Sequence, residues 1–408
     1  MYNTSQEFID AIKLLRRDVL TKDALIEALQ EIGNPQDQLS CIHIAGTNGK
    51  GSTTSTIYSI LKEAGYKVGT FTSPSLSTHH DMICINQKPI SEEDFVRYAN
   101  SYGDLCIRKE LSFFEAQVLI MFAYFVEQQV DIAIVEVGLG GIDDATNVMI
   151  PKVSVITNIG LDHLDYLGDS KVAIAHAKAG IVKSGVPLVT MEQNPECLDV
   201  FRKTCEKLGS PLICCEKPEN IYVDSCLHFD YKVYKNIEEN TLAKYQAYNA
   251  SLAIETIEQL KMDIDSQTIY RGIKNMRWPA RFELVKEHPR VILDGAHNEE
   301  GIAALVESVK DIPNLHILFT ALADKPNHSM LESLCEVSSN ITVCEFDHIR
   351  ADKAVNIAAN YPVRIIPDWK QAYDIMITEI KEGTLLICGS LYFLSQIRAY
   401  IVSQGEEL

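Results

Sequence analysis

The chain has 408 residues, 46% of them hydrophobic and 23% charged, with a formal net charge of −19. Its length exceeds the roughly 250–300 residues at which single cores stop growing, so two domains are expected, and the composition is that of a globular protein. The acidic balance argues against a nucleic-acid partner, because backbone binding needs a basic surface; an anionic small molecule would need a local basic pocket.

The apolar stretch 116–126, flanked by Glu115 and Glu127, is too short for a bilayer, which takes about 20 residues. The start Met1-Tyr2-Asn3-Thr4-Ser5 lacks the basic opening and apolar run of a signal peptide. No membrane association and a cytoplasmic location are therefore expected. Eleven cysteines, none spaced as C-x-x-C, read as small buried hydrophobes such as Cys41, Cys84 and Cys388 rather than metal ligands.

In chain order, 41–45 reads as a buried strand that runs through a Gly-rich turn into a helix over 52–64. Ile57, Ile60, Leu61 and Ala64 recur there at helical spacing and Gly65 supplies the stop. A strand follows at 67–71. The segment 113–125 is apolar nearly all round and reads as a buried helix, and strands are expected at 132–137 and 153–159. The alternation implies a mostly parallel sheet with helices on both faces. Turn-rich residues 212–243 suggest a small antiparallel patch, and 245–260 a helix. Strands at 291–293, 316–319, 341–344, 363–366 and 385–388 form a second α/β unit. The expected architecture is α/β: a P-loop-type, mostly parallel sheet domain over 1–283 with the antiparallel patch, a linker at 284–290, and a smaller Rossmann-like domain over 291–408.

Gly46-Thr47-Asn48-Gly49-Lys50-Gly51-Ser52 lies between a strand and a helix, the context a phosphate-binding loop requires. Glycines let backbone N–H groups wrap phosphates, the helix N-terminus adds positive potential, and Lys50 adds a point charge. The match to a strict P-loop is incomplete: position 44 is Ile, and Gly51 separates Lys50 from the Ser52 hydroxyl. In open parallel sheets ligands gather beyond the carboxyl ends of strands. Glu136 sits at such an end, just before Gly138-Leu139-Gly140-Gly141, and a carboxylate inside an apolar strand is costly unless paired or metal-bound. His163 follows the next strand. Either alone is more often structural; beside a phosphate loop they form a plausible Mg²⁺ site. Ile174, Lys178, Ile181 and Val182 share one helical face, so Lys178 either points into apolar surroundings for a purpose or snorkels to solvent.

The segment 43–52 resembles the ATP loop of folylpolyglutamate synthases and dihydrofolate synthases, members of the Mur ligase superfamily. The resemblance continues through Phe71-Thr72-Ser73-Pro74, Glu136–Gly141 with Asp144-Ala145-Thr146-Asn147, Asp162-His163, Lys178-Ala179-Gly180-Ile181 and Trp278-Pro279-Ala280-Arg281. In the second domain it takes in Asp294-Gly295-Ala296-His297-Asn298 and Gly389-Ser390-Leu391-Tyr392. It covers nearly the whole chain in the family's order.

The resemblance implies roles. Residues Gly46, Thr47, Asn48, Gly49, Lys50, Gly51 and Ser52 hold the ATP phosphates. Asn249, Arg281, Asp294 and His297 also contact ATP. Ser52 and Glu136 bind one Mg²⁺ and His163 a second, helped by a carbamylated Lys178. Lys50, Lys178 and His297 are the expected catalytic groups. Ser73, Pro74, Ser390 and Tyr392 meet the substrates, L-glutamate and a folate or dihydropteroate. The implied reaction is ATP-dependent ligation of glutamate to a tetrahydrofolyl-polyglutamate through an acyl phosphate, with dihydrofolate synthase activity as an option, in a monomer.

The acceptor side departs from the family pattern. Thr78 and Met82 stand where relatives carry two arginines, and Asp81 replaces a glutamate; His79 and His80 either compensate or are solvated loop residues. Ile142-Asp143, Tyr245 and Ala177 also differ. A degenerate nucleotide-binding paralogue and a ligase for another acidic acceptor are the alternatives. A cell-wall Mur ligase is disfavoured because only 45 residues precede Gly46, where such enzymes carry a further domain of about 100 residues.

Overall fold

The computed structural model describes residues 1–14 and 22–404, which divide into two compact units. The first unit is built on central strands buried on both faces, the pattern that parallel pairing between helical layers produces. Its eight strands are β1 (Cys41–Ala45), β2 (Val68–Phe71), β3 (Ile83–Ile85), β4 (Lys88–Pro89), β5 (Ile132–Glu136), β6 (Val153–Ile156), β7 (Leu188–Thr190) and β8 (Leu212–Cys214), in the spatial order β4-β3-β2-β5-β1-β6-β7-β8. Five neighbouring pairs from β2 to β8 run parallel, while β3 and β4 close one edge antiparallel.

Among the described residues, eight α-helices of this unit precede residue 212: α1 (Ser5–Lys13), α2 (Asp23–Glu31), α3 (Lys50–Glu63), α4 (Glu92–Arg108), α5 (Phe113–Glu127), α6 (Leu164–Leu167), α7 (Lys171–Ala179) and α8 (Pro195–Leu208). The all-round apolar sequence of α5 puts it at the centre of one core, against α1, α2, α4 and β2, with Phe122 and Phe125 fully buried. Ser112 starts α5 through a reciprocal capping box with Glu115. The other core packs α7 and α8 against β6 and β7.

Residues 219–239 form the antiparallel patch, β9 (Glu219–Val223), β10 (Leu227–Tyr231) and β11 (Tyr234–Glu239), and contribute to both units. Helix α9 (Gln246–Leu260) returns the chain to the first unit at Tyr248, and α10 (Ser266–Lys274) packs on α3.

The second unit holds β12 (Glu283–Glu287), β13 (Arg290–Asp294), β14 (Leu315–Phe319), β15 (Asn340–Glu345), β16 (Arg364–Asp368) and β17 (Thr384–Cys388), in the order β12-β13-β17-β14-β15-β16. All its pairs are parallel except β12 with β13. Helices α11 (Glu299–Val309), α12 (Asn327–Cys335), α13 (Ala354–Ala358), α14 (Trp369–Glu379) and α15 (Leu391–Ser403) alternate with the strands. The expected linker, 284–290, carries most of β12 and the turn into β13, while the chain enters this unit for the last time at Arg277. Among the described residues no helix is long and apolar enough to cross a membrane.

Candidate active site

In the first unit β1 lies between β5 and β6, so the loops that leave their carboxyl ends are neighbours. The 46–52 loop leaves β1 and becomes α3, with Gly49 at the N-cap in the left-handed conformation (φ 84°). A Cβ on Gly49 would lie 2.4 Å from Oδ1 of Asn249, and one on Gly46 only 1.8 Å from Oγ1 of Thr157. Both positions therefore need glycine for space as well as for backbone conformation.

The residues after β6 pin this loop from below. The Thr47 N–H donates to the Asn158 carbonyl (3.0 Å) and the Asn48 N–H to Asn158 Oδ1 (2.9 Å). The Thr157 hydroxyl donates to the Asn48 carbonyl (2.6 Å), and the Gly160 N–H to the Thr47 hydroxyl (2.9 Å). Ser52 begins the buried face of α3 at 1% exposure.

Two lysines converge on one loop carbonyl. Lys50 Nζ donates to Gly46 O at 3.1 Å and Thr47 O at 3.3 Å, and Lys178 Nζ donates to Gly46 O at 3.0 Å. Lys50 also lies 3.9 Å from Glu136 Oε1, at the last residue of β5, where Ile44 pairs with Glu136 across the ladder. Lys178 does not snorkel: it is buried, and loss of hydration, reinforced by the Lys50 charge and opposed by Asp162 and Asp144, pulls its pKa down to about 7. A large share of this amine is thus neutral and nucleophilic at physiological pH.

The buried Ser52 hydroxyl and Glu136 carboxylate are hard oxygen donors and fit Mg²⁺. His163 is exposed, in a left-handed conformation (φ 53°), at the start of α6. Among the described residues it joins no group of three His, Cys, Asp or Glu ligand atoms with Glu136.

Ser73 is half-buried and Pro74 exposed, joined by a cis peptide bond. In the segment that follows, Asp81 serves the backbone: its Oδ2 accepts from the N–H groups of Leu76 (3.2 Å), Ser77 (2.6 Å) and Thr78 (3.3 Å). His79 and His80 are half-buried rather than solvated, with ring centroids 4.0 Å apart, and both pack edge-on against Phe95.

The second unit gathers Arg281, Asp294 and His297. Asp294 ends β13, fully buried, and accepts from Tyr245 Oη (2.5 Å), the Phe282 N–H (3.0 Å) and the Ala296 N–H (2.9 Å). Burial raises its pKa against these hydrogen bonds and the nearby Arg281 charge. Tyr245 therefore has a defined partner. His297 Nδ1 lies 2.9 Å from the Gly295 carbonyl. Ser390 is the buried N-cap of α15, with no hydrogen-bond partner for its Oγ, and Tyr392 stacks on His348 at 4.5 Å.

Sequence reasoning assigned no role to Thr157, Asn158 or Asp144. Asp144 organises the Gly138–Gly141 turn by accepting from the Leu139 N–H (2.8 Å) and from the Thr146 N–H (3.0 Å) and hydroxyl (2.5 Å). Thr146 in turn meets Nε2 of His43 at 2.8 Å, an imidazole whose pKa burial pushes down to about 3. A buried Asp-x-Thr after a glycine turn is the available signal, since Asp and Thr in that spacing satisfy backbone donors locally.

Comparison with known proteins places the chain in a family. The model of the Mur ligase middle domain matches residues 44–257, and that of the Mur ligase glutamate ligase domain matches residues 280–391. The dihydrofolate synthase/folylpolyglutamate synthase of Bacillus subtilis is 37% identical over 91% of this chain and 93% of its own. The folylpolyglutamate synthase of Lacticaseibacillus casei is 31% identical over 92% of each. The structure of Mycobacterium tuberculosis folylpolyglutamate synthase complexed with ADP superposes with a TM-score of 0.90 at 26% identity, covering 97% of this chain and 98% of that one.

A phosphate loop that carries Lys50 and meets the buried Lys178, on a mostly parallel sheet in a chain with a second α/β unit, defines a Mur-type ATP-dependent ligase. Within that class, the chain belongs to the folylpolyglutamate synthase/dihydrofolate synthase family, whose reaction is ATP-dependent ligation of glutamate to a folate.

Proposed function

We propose that the chain extends a reduced folate with L-glutamate through an acyl phosphate, and that it also converts dihydropteroate to dihydrofolate. The observation that carries this reading is the sharing of the Gly46 carbonyl by Lys50 and Lys178, with Lys50 facing Glu136. The Lys50 charge and a helix N-terminus supply the positive field that triphosphate and a migrating phosphoryl group need, and Lys178 supplies an amine poised for modification beside it.

An acceptor carboxylate oxygen attacks the ATP γ-phosphorus and ADP leaves; the glutamate amine then attacks the acyl carbonyl, loses a proton and expels phosphate. Lys50 and the 46–52 amides hold the phosphates. Asn249, Arg281, Asp294 and His297 contact the nucleotide, Ser73 and Pro74 the acceptor, and Ser390 and Tyr392 the incoming glutamate. Ser52 and Glu136 would hold one Mg²⁺, and His163 with a carbamylated Lys178 a second. Bound there, the ions would neutralise charge on the transferring phosphoryl group. The low pKa of Lys178 favours carbamylation, in which the neutral amine adds to CO₂ and releases one proton. We further infer a cytoplasmic monomer.

The test is glutamate-dependent phosphate release from Mg·ATP with dihydropteroate, tetrahydrofolate and a reduced folate monoglutamate side by side. Release with both pteroate and folate acceptors supports the bifunctional reading. Release with the folates alone removes the dihydropteroate activity. ATP binding without any acceptor-dependent release points to the nucleotide-binding paralogue, whose only support is the altered 75–82 segment.

A further inference from the structure

The 79–82 turn and the start of α4 bring together three ligand-type side chains that the ligase reading does not use. The His79 and His80 rings lie 4.0 Å apart, tilted by 38°, and Nε2 of His80 lies 2.8 Å from Oε2 of Glu92. One ligand atom from each of His79, His80 and Glu92 falls within 4.8 Å of the others. Nε2 of His79 is buried and lacks a hydrogen-bond partner.

The groups behind these atoms are already oriented. Nδ1 of His80 meets the Thr78 hydroxyl at 3.4 Å, which leaves Nε2 facing the carboxylate. Glu92 is fixed by Ser5, whose N–H donates to Oε1 (2.7 Å) and whose hydroxyl donates to Oε2 (2.7 Å). Phe95, fully buried, stands edge-on to both imidazoles, and Phe113 to His79. Lys13 lies over the Phe113 ring at 5.6 Å.

Two imidazoles and one carboxylate are the donor set of open zinc sites, and imidazole selects borderline divalent ions over Mg²⁺. Bonds of about 2.0–2.2 Å place donors roughly 3.4 Å apart in a tetrahedral shell, so small side-chain rotations draw the three atoms in. Thr78 and Ser5 act as the outer-shell partners that such ligands require. We propose that His79, His80 and Glu92 bind one zinc-type divalent ion, which ties the 75–82 segment to the start of α4 and, through Ser5, to α1. The fourth position stays open to water.

The full chain, stripped with chelator and returned to buffer with excess Mg²⁺, is titrated with Zn²⁺ by calorimetry and with Co²⁺ by visible absorption. Excess Mg²⁺ occupies oxygen-rich sites. One equivalent of Zn²⁺ is expected, with a Co²⁺ spectrum that lacks a thiolate charge-transfer band. His79→Gln, His80→Gln and Glu92→Gln each weaken binding by more than about 100-fold, and Ser5→Ala by about 10-fold. Circular dichroism in chelator checks that each variant folds as the parent does. The proposal is overturned by no saturable binding, by parental affinity in both histidine variants, or by a thiolate band that Cys226→Ser abolishes. That last outcome would move the ion to Asp224, Cys226 and His228, where Nε2 of His228 already lies 3.0 Å from Asp224. No substrate enters the assay, so its outcome is independent of the ligase reading.

Discussion

Lys178, on α7, and Gly46, at the head of the phosphate loop, are joined by a 3.0 Å hydrogen bond that fixes a buried amine against the backbone on which nucleotide is proposed to sit. The cost of burying that amine is visible in its pKa. An unfolded lysine titrates near 10.5 and this one near 7, so between those values the unfolded chain binds more protons and stability rises with pH. In bicarbonate-free buffer Lys178→Met is therefore more stable than the parent at pH 6, and its advantage shrinks as pH approaches 10. Urea melts at pH 6, 8 and 10 measure this. An equal difference at all three would mean that Lys178 is not depressed. The carbamate has its own readout: one ¹³C-bicarbonate-derived carbonyl resonance in the parent, absent from the variant.

Glu136 is buried, and Nζ of Lys50 lies 3.9 Å from its Oε1. Replacing it by Gln keeps the shape and removes the charge on which both Lys50 and the proposed Mg²⁺ depend. Turnover of phosphate release falls by on the order of 10²–10³-fold, the range for losing one electrostatic contact at a reacting phosphoryl group. A Glu136→Gln enzyme with parental turnover would exclude the carboxylate from the metal site.

Gly49 and Gly33 separate backbone strain from crowding. Both are left-handed, at φ 84° and 85°, but a Cβ at Gly33 meets nothing within 4 Å while one at Gly49 lies 2.4 Å from Asn249. Gly33→Ala costs about 1–2 kcal/mol and leaves nucleotide binding intact. Gly49→Ala costs more and weakens ATP binding at least about 10-fold, because Asn249 or the loop must shift. Denaturant melts and nucleotide calorimetry on the two variants decide this. Equal effects would show that crowding at Asn249 does not matter.

Glu239, at the end of β11, is fully buried with no hydrogen bond to either oxygen, and burial raises its pKa from 4.5 to about 8 despite the Arg277 charge. Here the folded state binds the extra proton, so stability falls as pH climbs from about 4.5 to 8. Glu239→Gln, the isostere of the neutral acid, removes that decline. It matches the parent at pH 4.5 and exceeds it at pH 8 in thermal melting. A variant that loses stability at pH 8 would mean that the ionised carboxylate is what the fold uses.

Strand and helix identities near the site were legible because the strands are short, mostly apolar runs, as in Ile132–Glu136 with its single terminal carboxylate, and the helices have starts and stops of their own. The expected strand at 153–159 ends earlier, at Ile156, because Thr157 and Asn158 leave the ladder to hold the loop. Those roles were hidden: their partners lie more than a hundred positions away, and nothing local in Thr-Asn requires them. The loop and Glu136 could be read from motif and position, while periodicity left Lys178 either inward or snorkelling, and its burial decides for inward. The convergence of Lys50 and Lys178 on one carbonyl could not, since it depends on how α7 packs. At 75–82 the sequence left the histidines either solvated or compensating. They are half-buried against Phe95, an aromatic on a different element, and pattern within the segment does not reveal that contact.

The position of β1 between β5 and β6 also sets the order in which the molecule can assemble. The phosphate loop is a local stretch of chain, yet β5 reaches β1 only after α3, β2, α4 and α5 have been traversed, and β6 pairs with it later still. Closing such distant pairings is entropically slow compared with winding a helix. During refolding, helical signal should therefore return first, and ATP affinity only once the central three strands have registered.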